Sequence, residues 1–255
     1  MISNFLEILI LSIVQGISEF LPISSSAHLF LVSEIYKFKS QSLLVDVGLH
    51  LGSLLAIIFY FRNELKEIVN NKNLLFLMIL GSLPLIILGA IIYKTGLINY
   101  FRNIEVIAWT TLIFALLLYI ADKFENNKKI KTDLRLKSIL IIGVFQILAL
   151  IPGVSRSGIV ITAGRFLNFS RYDSTKISFY LSIPAIAGAS FLSLKSLVDK
   201  NVDLNLIVLF SILFSFIFSY LTIKYFLAYV KKFTLNIFVY YRVLLAGILL
   251  IIIYT

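Results

Sequence analysis

Two polar segments interrupt an otherwise apolar sequence, and the first carries residue types capable of nucleophilic and acid–base chemistry. It runs from Gln15 to His28 and contains Glu19, Pro22 and three serines at 24–26. Gln15 and Glu19 are four residues apart and share one face of a helix, which Pro22 ends. The serines suit the N-terminus of a second helix, whose free backbone N–H groups attract anions. His28, in the first turn of that helix, can act as a nucleophile, an acid, a base or a donor to phosphate.

The second polar segment, residues 146–158, repeats this order of a glutamine, a proline and serines. Glycine lets the backbone approach a ligand closely, and arginine offers a planar, permanently charged group that suits phosphate oxygens. We therefore expect a second anion-binding loop, with the polar core Gly153, Ser155, Arg156 and Ser157.

Together these groups favour phosphoryl chemistry. A carboxylate and a guanidinium are costly at membrane depth, so their presence predicts a functional site. If the two segments face each other, Glu19 and His28 meet Arg156 near the middle of the bilayer. A carboxylate can also hold Mg²⁺ or Ca²⁺ bridged to phosphate. A serine run alone usually reflects helix packing, so the conjunction carries the prediction. His50, within an apolar span, is interpreted as structural or as a neighbour of the site.

The composition is that of a polytopic membrane protein. The chain has 255 residues, of which 60% are hydrophobic and 14% charged, whereas soluble domains are about 25% charged. The net charge of +10 lies mostly in short links between apolar segments, which is typical of membrane topology and not of nucleic-acid binding. The absence of cysteine excludes thiolate metal sites and a cysteine nucleophile.

The apolar pattern predicts an all-α fold with about six membrane-spanning helices and two re-entrant hairpins. A span needs about 20 residues, and the helices flanking the polar segments are too short for that. Broken helices are tolerated at depth where protein or a polar cavity covers their backbone, so we interpret both segments as helix–loop–helix hairpins. The predicted spans are 45–61, 74–92, 105–121, 175–194, 204–223 and 237–254, and the hairpins are 5–20 with 27–36 and 138–151 with 158–168.

We expect one domain, 1–255, built from approximate inverted repeats 1–121 and 138–255 that a polar loop, 122–137, connects. Lysine and arginine concentrate in cytoplasmic loops. With the first hairpin entering from outside and the second from inside, most basic residues fall in inside links. These links are 62–73, 122–137, 165–176 and 224–235.

The two segments resemble the signatures of the bacterial undecaprenyl-diphosphate phosphatases linked to bacitracin resistance. The first signature matches Gln15 to His28, including Glu-Phe-Leu-Pro-Ile-Ser-Ser, and the second matches Pro-Gly-Val-Ser-Arg-Ser-Gly at 152–158. The resemblance implies a multi-pass enzyme of the bacterial inner membrane with an inverted repeat and two re-entrant hairpins. It implies hydrolysis of a C55 lipid diphosphate to the monophosphate and inorganic phosphate, which recycles the carrier of peptidoglycan precursors, supported by Mg²⁺ or Ca²⁺.

Carried over by motif, the resemblance also implies roles for individual residues, with either Ser25 or His28 as the nucleophile. This chain departs from the family where Gln15 replaces a frequent Glu, which removes one metal-binding carboxylate. The expected catalytic residues are Glu19, Ser25, His28 and Arg156, with Glu19 also the metal ligand. The expected phosphate-binding residues are Gln15, Ser24, Ser26, Gly153, Ser155 and Ser157.

Two other functions were compared with this one. A polyprenyl-phosphate transporter or flippase shares the broken helices and inverted repeat. The phosphatidic-acid phosphatase class needs a second histidine six residues after the arginine, but that position is Thr162 and no histidine follows His50. The sequence therefore excludes this class.

The expected partners are undecaprenyl diphosphate and the lipid bilayer, with no nucleic acid. The sequence is compatible with a homodimer and leaves the oligomeric state open.

Overall fold

The computed structural model describes residues 2–36, 38, 42–96, 101, 103–124, 127–198 and 206–255. These residues are helical almost throughout, as the sequence predicts, with a short 3₁₀ turn at Leu148–Leu150. The α-helices are α1 (Ile2–Ser18), α2 (Ser25–Tyr36), α3 (Leu43–Tyr60), α4 (Arg62–Asn70), α5 (Lys72–Thr95), α6 (Ile104–Asp122), α7 (Ile130–Asp133), α8 (Leu136–Ile147), α9 (Arg156–Phe166), α10 (Arg171–Val198), α11 (Leu206–Val230) and α12 (Asn236–Tyr254).

Six of these helices are long and apolar enough to cross a bilayer, which confirms the predicted spans. They are α3, α5, α6, α10, α11 and α12. The fifth prediction, 204–223, begins outside the described residues and stops before Lys224, whereas α11 continues to Val230. The helix continues because Phe226 and Leu227 beyond the lysine are buried, and an apolar contact outweighs one charge that can reach water.

The link 62–73, predicted as a loop, is instead largely helical. Helix α4 begins directly after α3 and buries Ile68, while its other residues stay partly or fully exposed. A short helix with a single buried stripe and a charged outer face suits the boundary between membrane and water. The connecting segment 122–137 also contains a helix, α7, and buries Ile130 and Leu134; its residues 125–126 lie outside the described part.

Both polar segments form helix–turn–helix hairpins, as predicted. Helix α1 ends at Ser18 and α2 begins at Ser25, while α8 ends before the 3₁₀ turn and α9 begins at Arg156. Each second helix therefore starts inside its serine cluster, two residues earlier than predicted, because a preceding serine occupies the cap position.

The hairpins pack on opposite halves of the chain. Helix α1 lies against α11, and α8 lies against α5, while α10 contacts both α3 and α5. The last helix, α12, packs against α6. The division into inverted repeats stays a prediction.

Helices α3 and α11 approach closely because small residues face each other. Ser53 Oγ lies 3.1 Å from Ser215 Oγ and accepts a hydrogen bond of 2.9 Å from Ser219. A Cβ atom added to Gly52 would lie 2.8 Å from the Ser215 Cβ and 2.9 Å from the Phe216 nitrogen. Small residues at such positions are the usual basis of helix association in membranes.

We expect Gly52→Ala to lower the free energy of unfolding by about 1–3 kcal/mol, because the added methyl group forces α3 away from α11. Thermal unfolding in detergent measures the loss. Gly247→Ala is the matched control, since a Cβ atom there meets nothing within 4 Å. Equal midpoints for the two variants would contradict this close contact.

Candidate active site

The two hairpin tips have the same unusual backbone geometry. Ser24 and Ser155 each precede a second helix and have positive φ angles of 76° and 70°. Both lie nine positions after a buried glutamine, Gln15 in one hairpin and Gln146 in the other. Left-handed backbone is uncommon outside glycine and concentrates at functional sites. The matched strain indicates that each tip is held in one defined conformation.

Arg242 of α12 holds the two tips together. Its side chain is fully buried and donates to the carbonyl oxygens of Pro22 (3.3 Å), Gly153 (2.9 Å) and Val154 (3.2 Å). A broken helix leaves backbone carbonyls without intrahelical donors, and in an apolar environment they need a partner. One guanidinium therefore satisfies carbonyls from both hairpins.

A direct contact also joins the tips. The Ser157 hydroxyl donates to the Leu21 carbonyl at 2.7 Å and lies 3.1 Å from Ser155 Oγ. Ser155 Oγ in turn accepts from the Gly158 N–H at 3.1 Å, which caps α9. These contacts fix the N-terminus of α9 against the first hairpin.

Glu19 contacts two of the other predicted catalytic residues, Ser25 and Arg156. Its Oε1 accepts from Arg156 at 3.1 Å, and its Oε2 accepts from the Ser25 hydroxyl at 2.7 Å and from Gln15 Nε2 at 3.1 Å. The Glu19 side chain is 7% exposed and the Arg156 side chain 12% exposed. Arg156 also donates to the Ser178 carbonyl at 3.2 Å, which orients its planar group.

A cavity of about 480 Å³ opens over this pair. Part of its wall is polar and comes mainly from the hairpin tips, with Glu19, Ser24, Ser25, Ser26, Ser155 and Arg156. The rest is mostly apolar and lies largely beyond Pro84 of α5 and Pro184 of α10, including Leu85, Ile86, Gly89, Ala185, Ile186, Gly188 and Ala189. Such a wall suits a ligand with a charged head and an apolar body.

Three predicted phosphate-binding residues are not among those lining the cavity. Gln15 lies behind Glu19 and donates to it, Gly153 offers its carbonyl to Arg242, and Ser157 contacts Leu21. These residues support the wall of the site.

His28 is also not among the residues that line the cavity. Its Nδ1 donates to the Ser24 carbonyl at 2.6 Å, and its Nε2 lies 2.5 Å from the Tyr241 hydroxyl, with the two rings stacked. The structure therefore brings together three of the four predicted catalytic residues and places His28 on the side of α2 that faces α12. Its catalytic role stays a prediction.

His50, interpreted from sequence as structural or as a neighbour of the site, lines the cavity. Its Nδ1 donates to the Asp46 carbonyl at 2.8 Å, which fixes the ring and the tautomer. The one signal in the sequence was an ionisable residue inside an apolar span, but nothing local indicated which way α3 turns this face.

A cation would find few protein ligands here. Among the described residues no cluster of three or more histidines, cysteines or carboxylates could hold a metal ion. The Gln15 Oε1 atom is buried beside Glu19 and has no hydrogen-bond partner in the described part of the chain. Because Glu19 lines the cavity and Gln15 does not, the protein offers one carboxylate to Mg²⁺ or Ca²⁺ there, which suits these ions if phosphate oxygens and water complete the shell.

Comparison with known proteins gives full-length matches. The family model described as bacitracin resistance protein BacA matches residues 8–248. A protein from Pelagibacter ubique (strain HTCC1062) is 61% identical over 255 residues, 100% of both chains. One from Elusimicrobium minutum is 43% identical over 251 residues and 95% of each chain, and one from Alteromonas mediterranea is 40% identical over 258 residues, 96% of this chain and 97% of the relative. All three carry the name undecaprenyl-diphosphatase.

Arg242→Met should lower the free energy of unfolding by about 2–4 kcal/mol, because buried carbonyls at both tips lose a charged donor. Thermal or denaturant unfolding in detergent measures this loss. Arg135→Met is the matched control, since Arg135 is exposed at the start of α8 and makes no side-chain cap bond. If both variants unfold at the same midpoint, Arg242 does not hold the tips.

Proposed function

We propose that this chain, which belongs to the bacitracin resistance protein BacA family, is an undecaprenyl-diphosphate phosphatase of the bacterial inner membrane. It hydrolyses the C55 lipid diphosphate to undecaprenyl phosphate and inorganic phosphate, which returns the lipid carrier to peptidoglycan synthesis. The observation that carries this proposal is Glu19, whose carboxylate contacts both Ser25 and Arg156 in a cavity with a largely apolar remaining wall.

The two parts of the cavity wall support this proposal, because one suits a diphosphate and the other suits a prenyl chain. The diphosphate lies against the hairpin tips, where Arg156 and the N-termini of α2 and α9 offer positive charge and free N–H groups. The prenyl chain follows the apolar wall between α5 and α10. Gly188 leaves open space there, since a Cβ atom added to it would meet nothing within 4 Å.

The first chemical step transfers a phosphoryl group to Ser25. The Ser25 oxygen forms a bond to the terminal phosphorus as the bond from that phosphorus to the bridging oxygen breaks, and undecaprenyl phosphate leaves. The serine proton passes to Glu19, which already accepts it in a 2.7 Å hydrogen bond. A water oxygen then forms a bond to the phosphorus as the bond from that phosphorus to the Ser25 oxygen breaks. Glu19 returns its proton to the Ser25 oxygen, the water gives up a proton to solvent, and inorganic phosphate leaves.

Arg156 stabilises the charge that spreads over the phosphoryl oxygens in the transition state. Because its ion pair with Glu19 and its bond to Ser178 hold the guanidinium in place before substrate arrives, little reorganisation is needed during the reaction. His50 lines the same cavity. Because its Nδ1 donates to the Asp46 carbonyl, its Nε2 is free to accept a hydrogen bond from a protonated oxygen of the substrate or from water.

A divalent cation, Mg²⁺ or Ca²⁺, is part of the proposal. Glu19, which lines the cavity, would hold it together with oxygens of the diphosphate. When bound, the cation neutralises negative charge on the substrate. The homodimer remains a prediction.

Glu19→Gln and Arg156→Ala should each slow phosphate release about 10²–10⁴-fold, because one removes the base and the other the main positive charge. The assay uses purified protein in detergent with C55 diphosphate, in Mg²⁺, Ca²⁺ and EDTA arms. The matched controls are Glu67→Gln and Arg62→Ala on α4, both exposed and outside the cavity lining.

A folded Arg156→Ala protein with a normal rate would refute this assignment of the site. A folded wild-type protein that moves labelled lipid across vesicles without releasing phosphate would indicate the transporter instead.

Ser25→Ala should reduce turnover at least about 10³-fold and abolish a trapped phosphoenzyme, because the nucleophile is lost. His28→Gln should cost less than about 10²-fold, below the usual effect of a direct acid or base. Acid-quenched reactions with radiolabelled terminal phosphate measure the covalent intermediate. The reverse pattern, with a phosphoenzyme in Ser25→Ala and none in His28→Gln, would make His28 the nucleophile.

A further inference from the structure

A second cavity, of about 490 Å³, lies apart from the proposed active site where several helices end. We call it the basic pocket and define it by Asp122, Lys123, Arg165, Arg171, Tyr172 and Lys231, which line it. The end of α6, the end of α9, the beginning of α10 and the end of α11 bring these residues together. None of them lines the cavity above Glu19.

Among the described residues that line this pocket, Asp122 is the single carboxylate, and it is fully engaged. Asp122 Oδ1 pairs with Arg165 at 3.2 Å and with Arg171 at 2.7 Å, and its Oδ2 accepts from the Leu235 N–H at 2.9 Å. The Asp122 side chain is 2% exposed. It therefore orients two guanidinium groups and cannot neutralise further cations.

The two lysines add positive charge at the rim. The Lys231 Nζ lies 4.7 Å from the Tyr172 ring centroid, and the Lys123 Nζ lies 4.2 Å from the Tyr119 centroid. Both lysines are exposed. Contact with an aromatic face limits the positions of a long side chain without removing its charge. Within the part of the lining that the structure describes, four cationic side chains thus stand against one carboxylate.

The surroundings favour a lipid headgroup as the source of the anion. Phe124, which lines the pocket, is 47% exposed, and Phe233, in the link after α11, is 56% exposed. The pocket residues belong to links that the charge distribution assigns to the inside, or lie directly beside them. Basic pockets between spanning helices on that side are suited to anionic lipid headgroups.

We propose that the basic pocket binds the phosphate group of an anionic phospholipid. Arg171, whose side chain is 30% exposed, and the two lysines contact the phosphate oxygens, while Phe124 lies beside the acyl chains. The same oxyanion chemistry would also accept free inorganic phosphate. The proposal does not depend on the hydrolytic function.

The test measures thermal unfolding of purified, delipidated protein in detergent during titration with dioleoylphosphatidylglycerol, dioleoylphosphatidylcholine or inorganic phosphate. We expect the anionic lipid to raise the midpoint and the zwitterionic lipid to leave it unchanged. Lys123→Gln with Lys231→Gln should weaken the apparent affinity for the anionic lipid about 30-fold, because two charge contacts are lost.

Lys66→Gln with Lys72→Gln is the matched control. It removes the same charge from exposed positions around α4, so the response to the anionic lipid should survive. The midpoint without ligand shows whether each variant is folded. If phosphate alone stabilises the protein, and does so through Lys123 and Lys231, the oxyanion site is supported with free phosphate as its source. Three results would overturn the proposal. The anionic lipid could still raise the midpoint of the Lys123→Gln, Lys231→Gln variant, or both double variants could lose the response equally. The wild type could also respond to neither the anionic lipid nor phosphate.

Discussion

The buried ion pair between Glu19 and Arg156 is the contact on which the site depends. Each charge is nearly inaccessible to water, and an isolated charge in such a place is very costly. Glu19 comes from the first hairpin and Arg156 from the second, so neither hairpin can bury its charge at low cost alone. The pair therefore requires the two tips to meet, and it leaves a carboxylate beside a hydroxyl and a guanidinium facing one cavity.

The rest of the tip geometry follows from broken helices in an apolar environment. A chain that stops its helix at depth leaves carbonyl oxygens without donors, and these oxygens need partners from elsewhere. Arg242 supplies them from the last helix, and Thr110 of α6 adds a 2.6 Å hydrogen bond to the Pro152 carbonyl. The two hairpin tips thus depend on α6 and α12, although neither helix contributes a side chain to the cavity lining.

The sequence predicted the helical fold because its signals are local. Apolar runs of sufficient length, the prolines at 22 and 152 and the serines that cap the next helices identify six spans and two hairpins without any long-range information. The sequence predicted the ends of helices less well where charged residues lie beside residues that the fold buries. Around Lys224 an apolar contact prolonged the helix, and at 62–70 a single buried stripe formed α4 where a loop was expected.

The sequence by itself also determined which chemical groups are available: a carboxylate, serine hydroxyls, histidines and an arginine around two helix starts. Only the tertiary structure decided which of them share a cavity. It turned His50 into the cavity beside Glu19 and His28 towards Tyr241, and it brought Arg242 to the Pro22 carbonyl, 220 residues away. A helix's rotation about its axis is set by packing against distant helices, and no spacing within one segment encodes it.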